Sequence, residues 1–251
     1  MNSLSSAKPL AVVTGGTKGI GLSFSQRLTE LGYQVVALFR HDKGAAETAR
    51  AMLPDGFTAI PCDVSVPSAA RHTAAEILRD HGTPRVLVNN AGRNIDRPFL
   101  ELTDDDWHTV LDANLSAPFY LTQAFAPAML TAGGGSVVNV GATTGIRPRF
   151  NGANYCASKA GLLHLTKCLA LELAPTIRVN CLIPGMIDTE DMQMRCRTAA
   201  PEHRDSMFTG IPQGRIGSPD EMASALEFMI GDAARYITGQ KLIVDGGQFM
   251  W

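Results

Sequence analysis

The sequence has no apolar run approaching the ~20 residues needed to span a bilayer; its apolar stretches, such as 35–39 and 137–138, are short. It has no charge excess: the formal net charge is -2 over 251 residues, with no block of like charge. That argues against a nucleic-acid partner, a charged tail or a membrane-surface helix. The histidines are scattered with no HxxxH spacing, and the cysteines (Cys62, Cys156, Cys168, Cys181, Cys196) are odd in number with no CxxC pair. No metal site is expected, and reduced thiols are. Residues 1–9 are polar and lack an apolar centre, unlike a secretion signal. These absences predict a cytoplasmic protein. There are no repeats, low-complexity segments or linkers.

What is present is an alternation. Apolar, strand-like runs at 10–13, 35–39, Phe57–Pro61, 86–88, 133–140, 177–183 and 242–247 alternate with helical stretches. The helices include 66–80, one begun at Thr103 with an acidic first turn, an apolar one over 155–174, and Pro219–Ile230. Residues 236–240 read as closing the sheet together with the last run. The pattern predicts one α/β domain over 1–251: a doubly wound parallel sheet with helices on both faces. Residues 188–216 are polar, rich in Met and Arg and without a clean period, which predicts a lid over a site.

The first run leads into Thr14-Gly15-Gly16-Thr17-Lys18-Gly19-Ile20-Gly21, after which Phe24, Leu28 and Leu31 recur at helical spacing. Strand, glycine-rich turn and helix are the context of a dinucleotide site: glycines admit the pyrophosphate, and the helix N-terminus offers N–H donors. The alternative is a purely structural turn. Arg40 ends the second run, where NAD sites carry an acid for the ribose hydroxyl. With Lys18 it favours a 2′-phosphate and hence NADP(H); the alternative is two solvated cations. Asp63, after the third run, suits the adenine amino group or a helix cap. Asn89-Asn90-Ala91-Gly92 follow the fourth, where small residues and amides suit a ligand across the sheet edge. Asn114, amid Leu111, Leu115 and Phe119, reads as a satisfied core amide, a water anchor, or a distortion of its helix beside a site.

Tyr155 and Lys159 are four apart on a helix, so they share a face. A free tyrosine has a pKa of about 10; a nearby ammonium favours the phenolate and lets the pair move a proton near neutrality. A half-buried Tyr beside a surface Lys is the plainer reading of the pair taken alone.

These motifs, in this order over the whole chain, resemble the short-chain dehydrogenase/reductase family in its compact form, and are similar to 3-oxoacyl-carrier-protein reductase-type ketoreductases. They are TGGTKGIG at 14–21, CDV at 62–64, NNAG at 89–92, Asn114, YCASK at 155–159, PGMIDT at 184–189, and YITGQ with VDGG near the end. The resemblance implies a Rossmann-type sheet of about seven strands, NADP(H), 4-pro-S hydride transfer, a small-molecule substrate and a homotetramer or homodimer. Tyr155 would be the general acid and Lys159 would hold the nicotinamide ribose. Asn114 would anchor a water. The cofactor side would take in Gly15, Thr17, Lys18, Gly19, Ile20 and Gly21 at the pyrophosphate, Arg40, Asp63 and Val64 at the adenosine, and Asn90, Ala91 and Gly92 beside its ribose. Pro184, Gly185, Ile187 and Thr189 would lie at the carboxamide end.

One residue departs from the pattern. The family's catalytic serine, thirteen residues before the tyrosine, is Ala142 here, in Gly141-Ala142-Thr143-Thr144-Gly145. That hydroxyl normally polarises the carbonyl, and losing one such donor costs about 100- to 1000-fold. Three accounts stand: Thr143 supplies the hydroxyl; the substrate is already polarised, as an imine is; or the site does isomerase, cyclase or dehydratase work with no net redox change. Retention of Asn114, Tyr155 and Lys159 argues against a protein that only binds. Arg93, Asn94, Arg147, Arg149, Phe150, Met192, Met194 and Arg195, with Ala142 and Thr144, border the expected substrate side. Arginines there suit an anionic or extended polar ligand, or surface charge, and methionines a pliable apolar wall for a bulky substrate.

Overall fold

The computed structural model describes residues 8–53, 55–190, 192–194 and 210–250. Seven strands form one sheet: β1 (Leu10–Thr14), β2 (Gln34–Phe39), β3 (Phe57–Pro61), β4 (Pro84–Asn89), β5 (Gly135–Val140), β6 (Ile177–Pro184) and β7 (Lys241–Val244). Their order is β3-β2-β1-β4-β5-β6-β7. Every pairing is parallel. Between them run α1 (Gly19–Glu30), α2 (Lys43–Met52), α3 (Pro67–Asp80), α4 (Asp104–Leu111), α5 (Ala117–Thr131), α6 (Ala153–Leu173) and α7 (Pro219–Ile230). No described helix is long and apolar enough to cross a membrane.

A strand covered on both faces sends alternate side chains to opposite cores. In β1, Ala11 and Val13 join Phe24, Leu28, Leu226 and Met229 under α1 and α7. Leu10 and Val12 join Ile77, Leu121, Phe125 and Met129 under α3 and α5. The chain crosses to the other half of the sheet between β1 and β4, paired as Val13↔Val88. Such a reversal opens a crevice at the strands' carboxyl ends.

Three readings change. Residues 236–240 form no strand; they lie beside β6, with the Ile237 carbonyl accepting from Asn180 Nδ2 at 2.8 Å and Gly239 N donating to the Val179 carbonyl. The helix α2 was not read at all. Of the expected lid over 188–216, residues 191 and 195–209, with Arg195 and Cys196, lie outside the described residues; Glu190 and Met192–Met194 are helical rather than irregular. The acidic start at Thr103 is a capping box: Thr103 Oγ1 accepts from Asp106 N, and the Asp106 carboxylate accepts from Thr103 N.

Candidate active site

The switch-point crevice is a cleft of about 480 Å³, lined by Gly15, Thr17, Lys18, Gly19, Ile20 and Gly21 from the first turn. Arg40, Asp63, Val64, Asn90, Ala91, Gly92, Ala113 and Thr189 also line it. Its volume lies in the range of small-molecule sites. The turn requires its glycines. Gly15 and Gly19 have φ of 63° and 54°, and a Cβ on Gly21 would overlap the Gly15 carbonyl. Ser25 pins the turn by donating to the Gly16 carbonyl at 2.8 Å. Thr14 Oγ1 accepts from Asn90 N and Ala91 N at 2.9 and 2.8 Å, lacing the end of β1 to that of β4. The first N–H groups of α1 have no partner within the helix, and no acid stands in its first turn. An anionic dinucleotide fits this cradle.

Several expected cofactor residues carry structural duties. Asn90 Nδ2 donates to the Thr14 and Gly15 carbonyls. Asp63 Oδ1 accepts from Ser65 N and Ser65 Oγ, and Asp63 Oδ2 lies 4.0 Å from Arg40 Nη1. Burial pushes that carboxyl up, but the Ser65 hydrogen bonds and the Arg40 and His41 charges hold it below its ordinary value. Asp63 thus closes a tight turn onto Ser65 ahead of α3, whose own N-cap, Val66, makes no side-chain bond. Pro184, Gly185 and Ile187 do not line the cleft. Pro184 pairs with Val244 in β7. A Cβ on Gly185 would strike Asp245 at 2.5 Å. Ile187 is buried, bridged to Gly217. Thr189 reaches back over the turn, its methyl 3.6 Å from where a Gly19 Cβ would stand, and its hydroxyl accepts from Met192 N.

Tyr155 and Lys159 stand on one face of α6, the ammonium 5.7 Å from the ring centroid. Lys159 is only 4% exposed and donates to the Val140 carbonyl at the end of β5, at 2.8 Å. Burial pulls its pKa down to about 8, against a smaller upward pull from Cys181. Gly92 joins this pair to the cleft: a Cβ there would lie 3.1 Å from Asn114 Oδ1 and 3.8 Å from Lys159 Nζ.

Asn114 is fully buried in a π-helical turn, Asp112–Ser116, between α4 and α5. The distortion expected of it is present. Its Oδ1 accepts from Arg93 N at 2.7 Å; its Nδ2 donates to the Arg93 carbonyl at 2.9 Å and to Ser158 Oγ at 3.0 Å. Ser158 Oγ donates on to the Tyr155 carbonyl at 2.8 Å. Both amide hydrogens are committed, while Oδ1 keeps a second lone pair. The sequence reading missed Ser158, although it lies inside YCASK and shares the Asn114 face. It also missed Asn154, whose Oδ1 takes Tyr155 N at 2.7 Å while Nδ2 reaches the Ile95 and Asp106 carbonyls.

After β5, Ala142 is extended (φ -156°, ψ 152°), and Thr143–Gly145 forms a single 3-10 turn. A Cβ on Gly145 would come within 2.8 Å of the Lys159 backbone, so the turn lies directly on α6. Ala142, Thr143 and Thr144 are all partly exposed, yet Thr144 Oγ1 is buried with no hydrogen-bond partner among the described residues.

On the substrate side the arginine next to Phe150 is already engaged within the chain. The Arg149 guanidinium grips Asp96 through two bonds of 2.7 and 2.6 Å and reaches Asn94 at 2.8 Å. Phe150 is 95% exposed. Arg93 borders the cleft, Arg147 is exposed, and Met192 is half-buried.

The family model described as enoyl-(acyl carrier protein) reductase matches residues 15–248. The chain belongs to the short-chain dehydrogenase/reductase family. It is 33% identical to the 3-oxoacyl-acyl-carrier-protein reductase FabG of Salmonella typhimurium over 242 residues, 96% of this chain and 97% of that one. It is 37% identical to the acetoacetyl-CoA reductase of Shinella zoogloeoides over 243 residues, covering 96% and 98% of the two chains. With FabG of Chlamydia muridarum the identity is 34% over 254 residues, covering 98% and 99%. Within this short-chain dehydrogenase/reductase, the groups nearest α6 form one constellation: Tyr155, Lys159, Asn114 and the turn from Ala142.

Proposed function

We propose that this chain reduces a ketone, or a similarly polarised C=O or C=N group, with NADPH and with Tyr155 as the proton donor. The observation that carries the reading is Gly92, which lines the dinucleotide-sized cleft and lies against Asn114 and Lys159 at the Tyr155 face of α6. NADPH, when bound, supplies the hydride to the carbonyl carbon. The 15–21 turn and the N–H groups of α1 would hold its phosphates, and Arg40 and Lys18 its 2′-phosphate. The chain's own residues manage the proton. Tyr155 O–H donates to the carbonyl oxygen as negative charge develops there. Lys159 favours the phenolate left behind. Asn114 and Ser158 hold the backbone of that helix turn in place. Thr143, first in the turn after Ala142, supplies the hydroxyl that the serine position lacks. The relatives' names point to 3-oxoacyl and acetoacetyl groups, whose ketone is already activated by a second carbonyl; such a substrate asks less of that missing donor. The test is the fall of NADPH absorbance with acetoacetyl-CoA and a panel of ketones, quinones and imines. Consumption matched by alcohol or amine formation supports reduction; tight NADPH binding with no consumption across the panel refutes it.

A further inference from the structure

Lys159 is not the only cation against Tyr155. The Arg149 guanidinium carbon stands 5.6 Å from the Tyr155 ring centroid, as close as the Lys159 ammonium at 5.7 Å. It does not sit there by chance contact. Asp96 holds it with two hydrogen bonds, and Asn94 with a third. Gly152, at the N-terminus of α6, leaves the room: a Cβ there would lie 3.2 Å from the Arg149 guanidinium carbon. A cation over an aromatic face is attracted to the ring, and more strongly once the ring carries a phenolate's charge.

We propose that Arg149, clamped by Asp96 and Asn94, is a positioning residue that acts through Tyr155 as a second cation, sharing with Lys159 the task of favouring its phenolate. This rests on the reading of Tyr155 as the proton donor. Two cations stand over the ring, Lys159 from α6 and Arg149 from the loop before it; Asp96 lies behind Arg149, and Cys156 of α6 acts on the Arg149 charge. Lys159 is held by burial at a pKa of about 8, so its charge weakens in the mildly alkaline range. Arg149 stays charged throughout: the hydrogen bonds it donates to Asp96 raise its pKa against the cost of burial, and Asp96, Cys156 and Tyr155 add further electrostatic pull. A second cation that does not titrate suits a site whose serine position is Ala142, because a more acidic Tyr155 gives its proton more readily to a carbonyl that the missing hydroxyl no longer polarises.

The test reads Tyr155 directly. Ultraviolet phenolate absorbance is titrated in the free protein, and the signal of Y155F is subtracted to isolate Tyr155 among the four tyrosines. Arg149→Gln removes the positive charge and raises the Tyr155 midpoint by about one pH unit. Asp96→Asn removes the opposing negative charge and lowers it. The alkaline limb of the kcat/KM profile for reduction, where the proton donor is lost, moves the same way in each variant. An unchanged midpoint in Arg149→Gln, or shifts of the same sign in both variants, overturns the proposal; a merely structural Arg149 gives such a result. If Arg149→Gln does not fold, Asp96→Asn decides alone: a lowered midpoint supports the proposal and any other result overturns it. The titration needs no turnover, so a failure here is distinct from a failure of the reductase reading, which only the NADPH assay reports.

Discussion

The Lys159 ammonium donates to the Val140 carbonyl at 2.8 Å, so the base of the Tyr155 site is tied to the last residue of the strand that precedes Ala142. The bond satisfies one of the ammonium's three donors on a side chain that is only 4% exposed. Burial wins over that single bond, and the pKa falls to about 8.

That burial fixes a pH dependence. Lys159 has a folded pKa below its unfolded value, so the unfolded chain binds the extra proton between about pH 8 and 10.5. Its cost to the fold is full below about pH 8, roughly 3 kcal/mol, and vanishes by the unfolded value. Lys159→Met removes the cost but orphans the Val140 carbonyl, worth about 1–3 kcal/mol. The variant therefore melts at or above wild type at pH 7 and below it at pH 10. Burial raises Cys181 to about 12, but it is present in both proteins and largely cancels in the difference. Melting curves at the two pH values check this; a difference that does not fall with pH contradicts it. Activity drops at least about 100-fold at either pH.

Asn114 and Ser158 act as one unit. Ser158→Ala removes the acceptor for Asn114 Nδ2 and the donor to the Tyr155 carbonyl, costing about 1–2 kcal/mol. Asn114→Ala also strips the Arg93 backbone of both partners and costs about 2–4 kcal/mol. The double variant loses less than the sum, by about 0.5–1.5 kcal/mol. Urea unfolding of the four proteins measures this coupling, and strict additivity refutes it.

If NADPH is the cofactor, as proposed, Arg40 sets the preference for it. Arg40→Ala removes a charge-assisted contact to the 2′-phosphate, worth about 1.5–3 kcal/mol, and so weakens NADPH binding about 10- to 100-fold. NADH binding changes little, because a ribose hydroxyl makes no such contact. Cofactor fluorescence titrations with both nucleotides check this. Equal losses for the two, or equal affinity in the wild type, contradict it.

What the sequence disclosed and what it hid follow from the range of the interactions. The glycine turn before α1 and the Tyr155–Lys159 pair are local patterns, and both stand where spacing placed them. The helix α2 escaped because its buried residues are only Ala46 and Ala49, which leave no large apolar period to read. Residues 236–240 looked like a strand because Tyr, Ile and Thr favour one. Their backbone instead meets the side chains and backbone of β6, as the Ile237 carbonyl meets Asn180 Nδ2. The bonds that hold Asn114 come from Arg93 and Ser158, 21 and 44 residues away. The grip of Asp96 on Arg149 spans 53. No periodicity reports contacts that distant.

The missing serine sets the last prediction. Two hydroxyls follow Ala142, and the structure treats them differently. Thr144 Oγ1 is buried with no partner among the described residues, so replacing it by a methyl relieves an unpaired polar group. Thr144→Val is accordingly neutral or stabilising, by up to about 1 kcal/mol, and leaves NADPH-dependent turnover within about 2-fold. Thr143→Val, in contrast, lowers kcat about 10- to 100-fold, with little change in stability, because its hydroxyl meets charge that exists only in the transition state. Ala142→Ser in the Thr143→Val background restores most of that loss, since it returns a donor to the extended residue ahead of the turn. Steady-state rates of the three variants settle the assignment. Unchanged turnover in Thr143→Val removes Thr143 from the mechanism, and a fall in Thr144→Val transfers the role to Thr144. If neither variant falls, the substrate itself supplies the polarisation, and Ala142→Ser alone then brings no gain in rate.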